Sequence, residues 1–406
     1  MAPPHPTEPQ ERIEAMDVLR GFALLGVFSV NMLFFAQPMD LHFLRPLAEH
    51  PSPWLFGGLL WLAQGKFYGL FSFLFGLGFA VQMDRFEARS EDGPRRFRRR
   101  LWVLLGLGLA HGILIWPGDI LAMYALIGFA LPRFARARDR EIRIWILALL
   151  GLLALGILGA GIRLVLKAHA APQGAAQAAA AQIQQIQEGA RTMTEAYREG
   201  PFPVLFRQRL RDLAGNYALT LVVSPHILAL FLLGLLSARL GLQRDTPEGQ
   251  CTLKRVAAWG LGLGLPLNLL TTLATVRGPL GPANPGGVMA LGAFIPGSTL
   301  LCLGYASALT LALRGGLAPW LRVLAWPGRM ALTCYLGHAV VFTLTFNAYG
   351  LRLYGRMGLG PALLMALGLW LILIPLCRAW LSRFRMGPAE WVWRSLTYGY
   401  AQPFLR

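Results

Sequence analysis

Two polar side chains, His111 and Asp119, interrupt the apolar stretch from Leu104 to Tyr124, LLGLGLAHGILIWPGDILAMY. A Pro-Gly pair between them predicts a turn, so the stretch should form a helical hairpin with both side chains near its tip. An ionisable residue at membrane depth is costly, and by default it marks a functional site with a partner nearby. Histidine titrates near neutral pH, and a carboxylate beside it fixes its tautomer. We therefore expect His111 to act as a general base that Asp119 orients.

Both residues also have purely structural explanations. Asp119 follows a Pro-Gly pair and precedes a helix, which is where an ordinary helix N-cap stands. His111 could be buried for packing alone. The sequence leaves these alternatives open.

The elements that must position these residues are membrane helices. The 406-residue chain is 55% hydrophobic and 14% charged, with a mean hydropathy of +0.49, whereas soluble domains carry about 25% charge. The composition therefore predicts an all-α, polytopic membrane bundle. We count ten candidate spans, each checked against a hydrocarbon core ~30 Å thick: residues 14–36, 55–83, 100–116, 119–133 (the shortest), 142–166, 216–238, 254–276, 286–313, 328–349 and 361–382.

The net charge of +18 arises mainly from basic residues in the loops on one side of the membrane, so it does not indicate nucleic-acid binding. If the N-terminus is cytoplasmic, the short inside loops and the C-terminal segment hold 24 Lys and Arg residues. The short outside loops hold four, namely Arg45, Arg277, Arg352 and Arg356. Short positive loops resist translocation, so both termini are predicted inside. The arginines also favour contact with anionic lipid head groups.

The spans and loops suggest three parts. Residues 1–166 form an N-terminal membrane half with five spans, and residues 216–406 form a C-terminal half with five more. Between them lies an extracytoplasmic segment, residues 167–215, whose Ala/Gln-rich portion 171–187 favours helix. This segment could cap an outward-facing site or bind a partner, and its composition does not choose between them.

The first span brings three more candidates. Asp17 and Arg20 are three residues apart, so they share a helix face and can pair; Asn31 lies toward the outer side. The guanidinium of Arg20 suits a phosphate, although the same pair could simply be a charged helix start with a snorkelling arginine.

Lys66 interrupts an apolar stretch rich in glycine and phenylalanine. Either it marks the outer end of its span, which we favour, or it is buried beside a carboxylate.

The remaining candidates are histidines. His226 follows a proline near the outer end of the sixth span, and His338 lies in the ninth span. We expect His42 and His50, in an outside loop, to be solvated loop residues.

Other motifs are absent. The chain has no Walker loop, no GxSxG, no HExxH and no CxxC pattern, and its four cysteines suggest neither a disulfide framework nor a metal site. The first twelve residues precede no cleavable signal pattern. No clear repeat relates the two halves.

Five ordered motifs resemble the bacterial YeiB family, whose C-terminal half is domain of unknown function 418. They are DVLRGFALLGVFSVN from Asp17, KFYGLFSFLFGLG from Lys66, HGILIWPGDIL from His111, GRMALTCY from Gly328 and FRMGPAEWVWR from Phe384. The chain departs from that family at Cys334 and His338, where the family usually has Asn and Gln.

The N-terminal half, through Asp17, Arg20, Gly21 and Asn31, also resembles the heparan-alpha-glucosaminide N-acetyltransferase group of membrane acyltransferases. This resemblance implies transfer of an acyl group from cytoplasmic acyl-CoA to an extracytoplasmic acceptor, such as a glycan or lipid-linked sugar, in the bacterial inner membrane.

A mechanism follows as a hypothesis. Arg20, with Asp17, would bind the donor's phosphates, and His111 would be the base for an acceptor hydroxyl or amine. Asn31 or Lys66 would stabilise the oxyanion, with His226 and His338 as further substrate contacts. We expect no tightly bound cofactor or metal; the acyl-CoA is a substrate.

Two other classes of function stay open on the sequence. One is a proton-coupled transporter or flippase that uses His111 and Asp119 as a relay, and the other is a non-catalytic scaffold. The expected partners are the lipid bilayer, a small-molecule donor and an acceptor. A homo-oligomer is left open.

Overall fold

The computed structural model describes residues 13–44, 47–90, 92–242 and 244–406. Within them the chain is all-helical: it contains no β-strand, only two isolated bridges. This confirms the predicted all-α class. Arg45, one of the four outside basic residues, lies outside the described residues.

The helices follow the apolar runs of the sequence. They are α1 (Glu14–Phe35), α2 (Pro53–Leu62), α3 (Lys66–Ala88), α4 (Gly93–Leu114), α5 (Leu121–Gly128), α6 (Asp139–Ala170), α7 (Pro172–Arg198), α8 (Phe202–Arg239), α9 (Pro247–Thr275), α10 (Pro285–Arg314), α11 (Ala318–Leu321), α12 (Ala325–Arg329), α13 (Ala331–Phe346), α14 (Leu359–Arg383) and α15 (Pro388–Tyr398). The described residues also contain short 3₁₀ helices at Met39–Phe43, Leu47–Glu49, Leu131–Phe134 and Arg322–Leu324.

Seven helical segments in the described part of the chain are long and apolar enough to cross a membrane. An eighth span results if the segments Ala318–Arg329 and Ala331–Phe346, which meet at a 74° bend, count as one. The other two of the ten predicted spans correspond to α4 and α5. Helix α4 begins with five arginines among its first eight residues, and α5 is eight residues long. The multi-pass character is thus clear, whereas the number of spans and their orientation stay predictions.

Helix α1 lies at the centre of one half of the bundle, against α3, α12, α13 and α14. Helix α3 crosses α8 very closely, because Gly76 and Gly234 have no side chain at the crossing. A Cβ on Gly76 would lie 1.8 Å from the carbonyl oxygen of Phe231. Helices α9 and α10 pack along each other, and the mostly exposed α6 lies against α8 and α10.

The loops gather at two opposite ends of the bundle. At the end predicted to be cytoplasmic, Arg322 pairs with Glu14 at 3.1 Å, and the Trp393 indole donates to the carbonyl of Arg100 at 3.0 Å. At the other end the backbone N–H of Gly355 donates to the carbonyl of Ala36 at 2.7 Å. Each of these contacts joins segments that are predicted to lie on the same side of the membrane.

The segment predicted to be extracytoplasmic is helical, as its Ala/Gln-rich part predicted. Helix α7 turns at Pro201 into α8, and the Tyr197 hydroxyl donates to the Asp212 carboxylate at 2.7 Å between them. Because α8 has 38 residues, it continues through residue 215 without a break. The proposed boundary at 215/216 therefore falls inside one helix, and the division into three parts stays a prediction.

Candidate functional site

His111 and Asp119 meet as the hairpin predicted. His111 lies in the last turn of α4, and its Nδ1 is 3.0 Å from Oδ1 of Asp119. Both side chains are buried, at 2% and 0% exposure. The same carboxylate accepts the backbone N–H of Leu121 at 3.2 Å and of Ala122 at 2.9 Å. Asp119 is therefore the partner of His111 and the cap of the next helix at once.

The close approach of α4 and α5 depends on Gly108. A Cβ there would lie 2.3 Å from the backbone nitrogen of Ala122, so a larger residue would push the helices apart. Gly108 thereby lets Asp119 reach His111.

Helix α8 covers this hairpin from the loop side. The Asn216 amide donates to the carbonyl of Asp119 at 3.1 Å, and the Tyr217 hydroxyl donates to the Asp119 carboxylate at 3.3 Å. Nearer the tip, the buried guanidinium of Arg209 donates to the carbonyl of Leu114 at 2.5 Å and to the Tyr349 hydroxyl at 3.1 Å. Arg209, Asn216 and Tyr217 of α8 thus bond to the hairpin at three points.

A second polar pair joins the two halves of the chain. Asn31 Nδ2 lies 3.1 Å from His338 Nε2, and the other ring nitrogen of His338 bonds to the carbonyl of Tyr335. A carbonyl only accepts, so Nδ1 of His338 carries the proton and Nε2 accepts from Asn31. The ring also stacks on Phe28, with centroids 4.4 Å apart. His338 therefore fixes the orientation of Asn31.

Tyr335 stands between these two pairs. Its ring centroid is 5.3 Å from that of His111 and 5.1 Å from that of His338, and its hydroxyl donates to the carbonyl of Gly118 at 3.4 Å. The single aromatic ring thus contacts both histidines.

A cavity of about 710 Å³ opens beside Tyr335. Its lining includes Asn31, Trp116, Gly118 and Tyr335, and at its far end Asp17 and Arg20. Arg20 donates to Asp17 at 3.0 Å, as their spacing predicted. The volume falls within the ~300–1,000 Å³ of typical ligand pockets.

The cavity contacts only some of the predicted site residues. Asp17, Arg20 and Asn31 line it. The other predicted residues lie behind its wall, and they are His111, Asp119, Lys66, His226 and His338.

Lys66 is the first residue of α3, so it begins this helix as one of the two alternatives expected, and its position in the membrane stays a prediction. It is fully buried, and its ammonium donates to the carbonyl of Leu60 at 3.1 Å and lies 5.1 Å from the centroid of the Phe294 ring. Neither partner is a carboxylate. The chain breaks between α2 and α3 at Gly65, whose φ is +85°, and Lys66 bonds a carbonyl at the end of α2.

His226 belongs to a buried network. Its Nδ1 lies 2.8 Å from the Tyr68 hydroxyl and its Nε2 lies 2.9 Å from Oγ1 of Thr299. Because both nitrogens have partners, His226 ties α3, α8 and α10 together, and only Tyr68 of this group reaches the cavity.

The expectation that His42 and His50 are solvated is wrong. They are 4% and 8% exposed, Nδ1 of His42 lies 2.9 Å from Nε2 of His50, and both rings stack on Phe56. Burial is the main cause that lowers the pKa of His42 to about 4, and the charge of His50 contributes to the same change. Burial likewise lowers the pKa of His50. The sequence of this loop did not indicate that Phe56, on α2, packs against both histidine rings.

Sequence reasoning missed Arg209, Asn216 and Tyr217, which hold the hairpin. The sequence did contain a signal for Arg209. It lies seven residues before the predicted span 216–238, and an arginine so close to a membrane span is expected to have a partner. In the described residues no group of three or more His, Cys, Asp or Glu side chains is placed to hold a metal ion.

Comparison with known proteins finds relatives along the whole chain. The profile of the family described as "Protein of unknown function (DUF418)" matches residues 237–400. The uncharacterised protein YxaH of Bacillus subtilis (strain 168) is 30% identical, over 99% of this chain and 98% of its own length. The uncharacterised protein YeiB of Escherichia coli (strain K12) is 28% identical, over 97% and 98%. No solved structure matches.

Proposed function

Since the chain belongs to the YeiB family of DUF418 membrane proteins, we propose that it is an acyltransferase of the bacterial inner membrane. It would carry an acyl group from a cytoplasmic acyl-CoA to an extracytoplasmic acceptor, such as a glycan or a lipid-linked sugar. Its relatives are uncharacterised, so the proposal depends on the geometry of the site.

One observation carries the proposal. A single cavity extends from Arg20 and its neighbouring arginines to Asn31, Trp116 and Gly118 beside the histidines. Guanidinium groups bind phosphates through paired hydrogen bonds. A donor with phosphates at one end and a thioester on a long arm fits such a cavity.

The chemistry assigns roles to the residues near Asn31. The acceptor oxygen or nitrogen attacks the thioester carbonyl, the carbon–sulfur bond breaks, and coenzyme A leaves as the thiolate. The acceptor's proton passes to Nε2 of His111, while the amide of Asn31 faces the developing oxyanion. General-base assistance is typically worth ~10²- to 10⁴-fold in rate.

In this conformation the base is covered. His111 lies behind Tyr335 and Trp116 and does not line the cavity. Acceptor access to Nε2 therefore requires the ring of Tyr335 to move aside.

The experiment measures binding of acyl-CoAs to the detergent-purified protein through the increase in its unfolding temperature. Arg20→Ala should abolish the stabilisation. Arg322→Ala is the matched control, because Arg322 lies at the same end, pairs with Glu14 on the surface and does not line the cavity. Absence of any shift in the wild type, or equal loss in both variants, would contradict the donor site.

A second candidate function is a proton-coupled transporter or flippase. The burial of His111 and Asp119 away from the cavity favours it, because a proton-binding pair needs to reach the pathway only in one conformation. Reconstituted vesicles distinguish the two. A transporter accumulates substrate only with a proton gradient, whereas an acyltransferase forms a covalent product without one.

A further inference from the structure

Charge is divided unevenly along the cavity. Among the described residues, every charged side chain on its wall lies at the end near Arg20. Six are arginines: Arg20, Arg85, Arg89, Arg100, Arg329 and Arg394. Two carboxylates, Asp17 and Glu390, lie among them. The excess of positive charge makes this end a site for an anion.

The other part of the cavity carries no charged side chain in the described residues. Its wall consists of apolar side chains such as Val27, Val30, Val223 and Phe294. A few neutral polar groups, Asn31 among them, interrupt this surface. Such a surface favours hydrocarbon, because burying it against apolar atoms removes both from water.

The two parts are far apart. Arg20 and Phe34 both line the cavity and lie on α1. Their separation of 14 residues corresponds to roughly 21 Å of helix at 1.5 Å per residue. A small anion held among the arginines would leave most of the apolar surface empty.

We infer that the cavity binds an amphiphile with an anionic head and an extended hydrocarbon chain. Within the proposed function, on which this assignment rests, the donor is a long-chain acyl thioester and not acetyl-CoA. The phosphates lie among the arginines, and the pantetheine arm lies along Val27 and Val30 toward Asn31. The acyl chain continues along Val223 and Phe294. An anionic lipid has the same chemistry and would use the same surface.

The test compares affinities of acetyl-CoA, octanoyl-CoA and palmitoyl-CoA for the full-length protein in nanodiscs. Each methylene transferred from water to an apolar site is worth up to about fourfold in affinity. Partition into the bilayer reduces that gain, so we expect palmitoyl-CoA to bind at least tenfold more tightly than acetyl-CoA. Equal affinities for the three would overturn the inference.

A matched pair of variants separates binding in the cavity from partition into lipid. Val223 lines the cavity, whereas its neighbour Val222 is 58% exposed and does not. Val223→Phe should weaken palmitoyl-CoA binding more than acetyl-CoA binding and so reduce the chain-length preference, and Val222→Phe should behave as the wild type. Equal behaviour of the two variants would overturn the inference. If Val223→Phe fails to fold, the smaller change Val223→Leu, with Val222→Leu as its control, tests the same position.

A competition experiment identifies the source of the amphiphile. Free coenzyme A should displace palmitoyl-CoA, because both carry the phosphates. If phosphatidylglycerol displaces palmitoyl-CoA and free coenzyme A does not, the amphiphile site stands but the acyl-CoA donor, and with it the proposed function, fails. If phosphatidylglycerol and palmitoyl-CoA each bind Val223→Phe as tightly as the wild type, the amphiphile site itself is contradicted.

Discussion

Nδ1 of His111 lies 3.0 Å from the Asp119 carboxylate, while Nε2 of the same ring is buried without a hydrogen-bond partner among the described residues. A buried polar atom that lacks a partner typically costs ~1–3 kcal/mol. The arrangement suits a general base, because a carboxylate holds one nitrogen and the other has no hydrogen-bond partner in the described residues.

The first prediction separates catalysis from capping. The N–H of Leu121 bonds to Oδ1 of Asp119 and the N–H of Ala122 bonds to Oδ2, so Asp119→Asn keeps only one of the two capping bonds and removes the charge that orients His111. We expect acyl transfer to fall ~10²- to 10⁴-fold in His111→Ala and substantially in Asp119→Asn, with a loss of about 1 kcal/mol in the unfolding free energy of Asp119→Asn. Turnover assays and thermal unfolding measure the two effects. Unchanged turnover in both variants would leave the pair with a structural role.

The second prediction concerns access to His111. Tyr335→Ala should increase the modification of His111 by diethyl pyrocarbonate, read by mass spectrometry, because the ring that covers it is removed. Tyr335→Phe should not, since it keeps the ring. His226 is the internal control, because Tyr68 and Thr299 occupy both of its nitrogens. Equal modification of His111 in all three proteins would show that Tyr335 does not cover it.

The third prediction concerns the crossing of α3 and α8. Gly76→Ala places a Cβ 1.8 Å from a backbone oxygen of α8, and such overpacking typically costs ~1–3 kcal/mol. Gly106→Ala is the matched control, because nothing lies within 4 Å of its Cβ. It should be neutral or stabilise α4 by up to ~1 kcal/mol. Unfolding in detergent compares them, and a Gly76→Ala variant as stable as Gly106→Ala would contradict the crossing.

The fourth prediction is a pH dependence of stability. The pKa of His42 is lowered to about 4 and that of His50 is lowered too, so the unfolded chain binds more protons than the folded one below pH ~6.5. The free energy of unfolding should therefore fall as the pH drops from ~6.5 toward 4, by an amount on the order of 1–3 kcal/mol. Thermal unfolding across this range measures it.

The control for that prediction is His42→Phe, which keeps a ring on Phe56 and removes one titrating group. Its stability should depend less steeply on pH between 6.5 and 4. A slope equal to that of the wild type would assign the dependence to other groups.

The fifth prediction concerns Glu390 on α15, which caps the start of α13. Its carboxylate accepts the N–H groups of Leu332 at 2.7 Å and Thr333 at 3.2 Å, and the Thr333 hydroxyl at 2.5 Å. Burial raises its pKa, and these bonds oppose the change. Glu390→Ala should cost about 1–2 kcal/mol in unfolding experiments. Glu390→Gln, which keeps the acceptor, should cost less; the reverse order would exclude capping.

Much of the fold follows from local sequence. Residues 14–36 and 286–313 were predicted spans, and the helices are Glu14–Phe35 and Pro285–Arg314, because long apolar runs leave few alternatives in a membrane. The pairing of His111 with Asp119 was also accessible, because a turn of known position lies between them.

The remainder depends on contacts between distant parts of the chain. Asn31 and His338 are 307 residues apart, and no periodicity relates them. The bend between α12 and α13 arises where Gly328 packs against the carbonyl of Asp17, and this neighbour is equally remote in sequence. The separation of the cavity into a charged end and an apolar part could likewise not be predicted, because the six arginines of the charged end come from distant positions in the sequence.

The paired helices α7 and α8 have a practical consequence for imaging. A helix of 38 residues is about 57 Å long, nearly twice the ~30 Å hydrocarbon core. Part of this length must lie outside the core, and α7, which Tyr197 joins to Asp212 of α8, packs there against the loop that holds Leu280 and Ala283. A nanobody raised against the exposed face of α7 would give a 44.6 kDa protein the asymmetric landmark that particle alignment in electron cryo-microscopy requires.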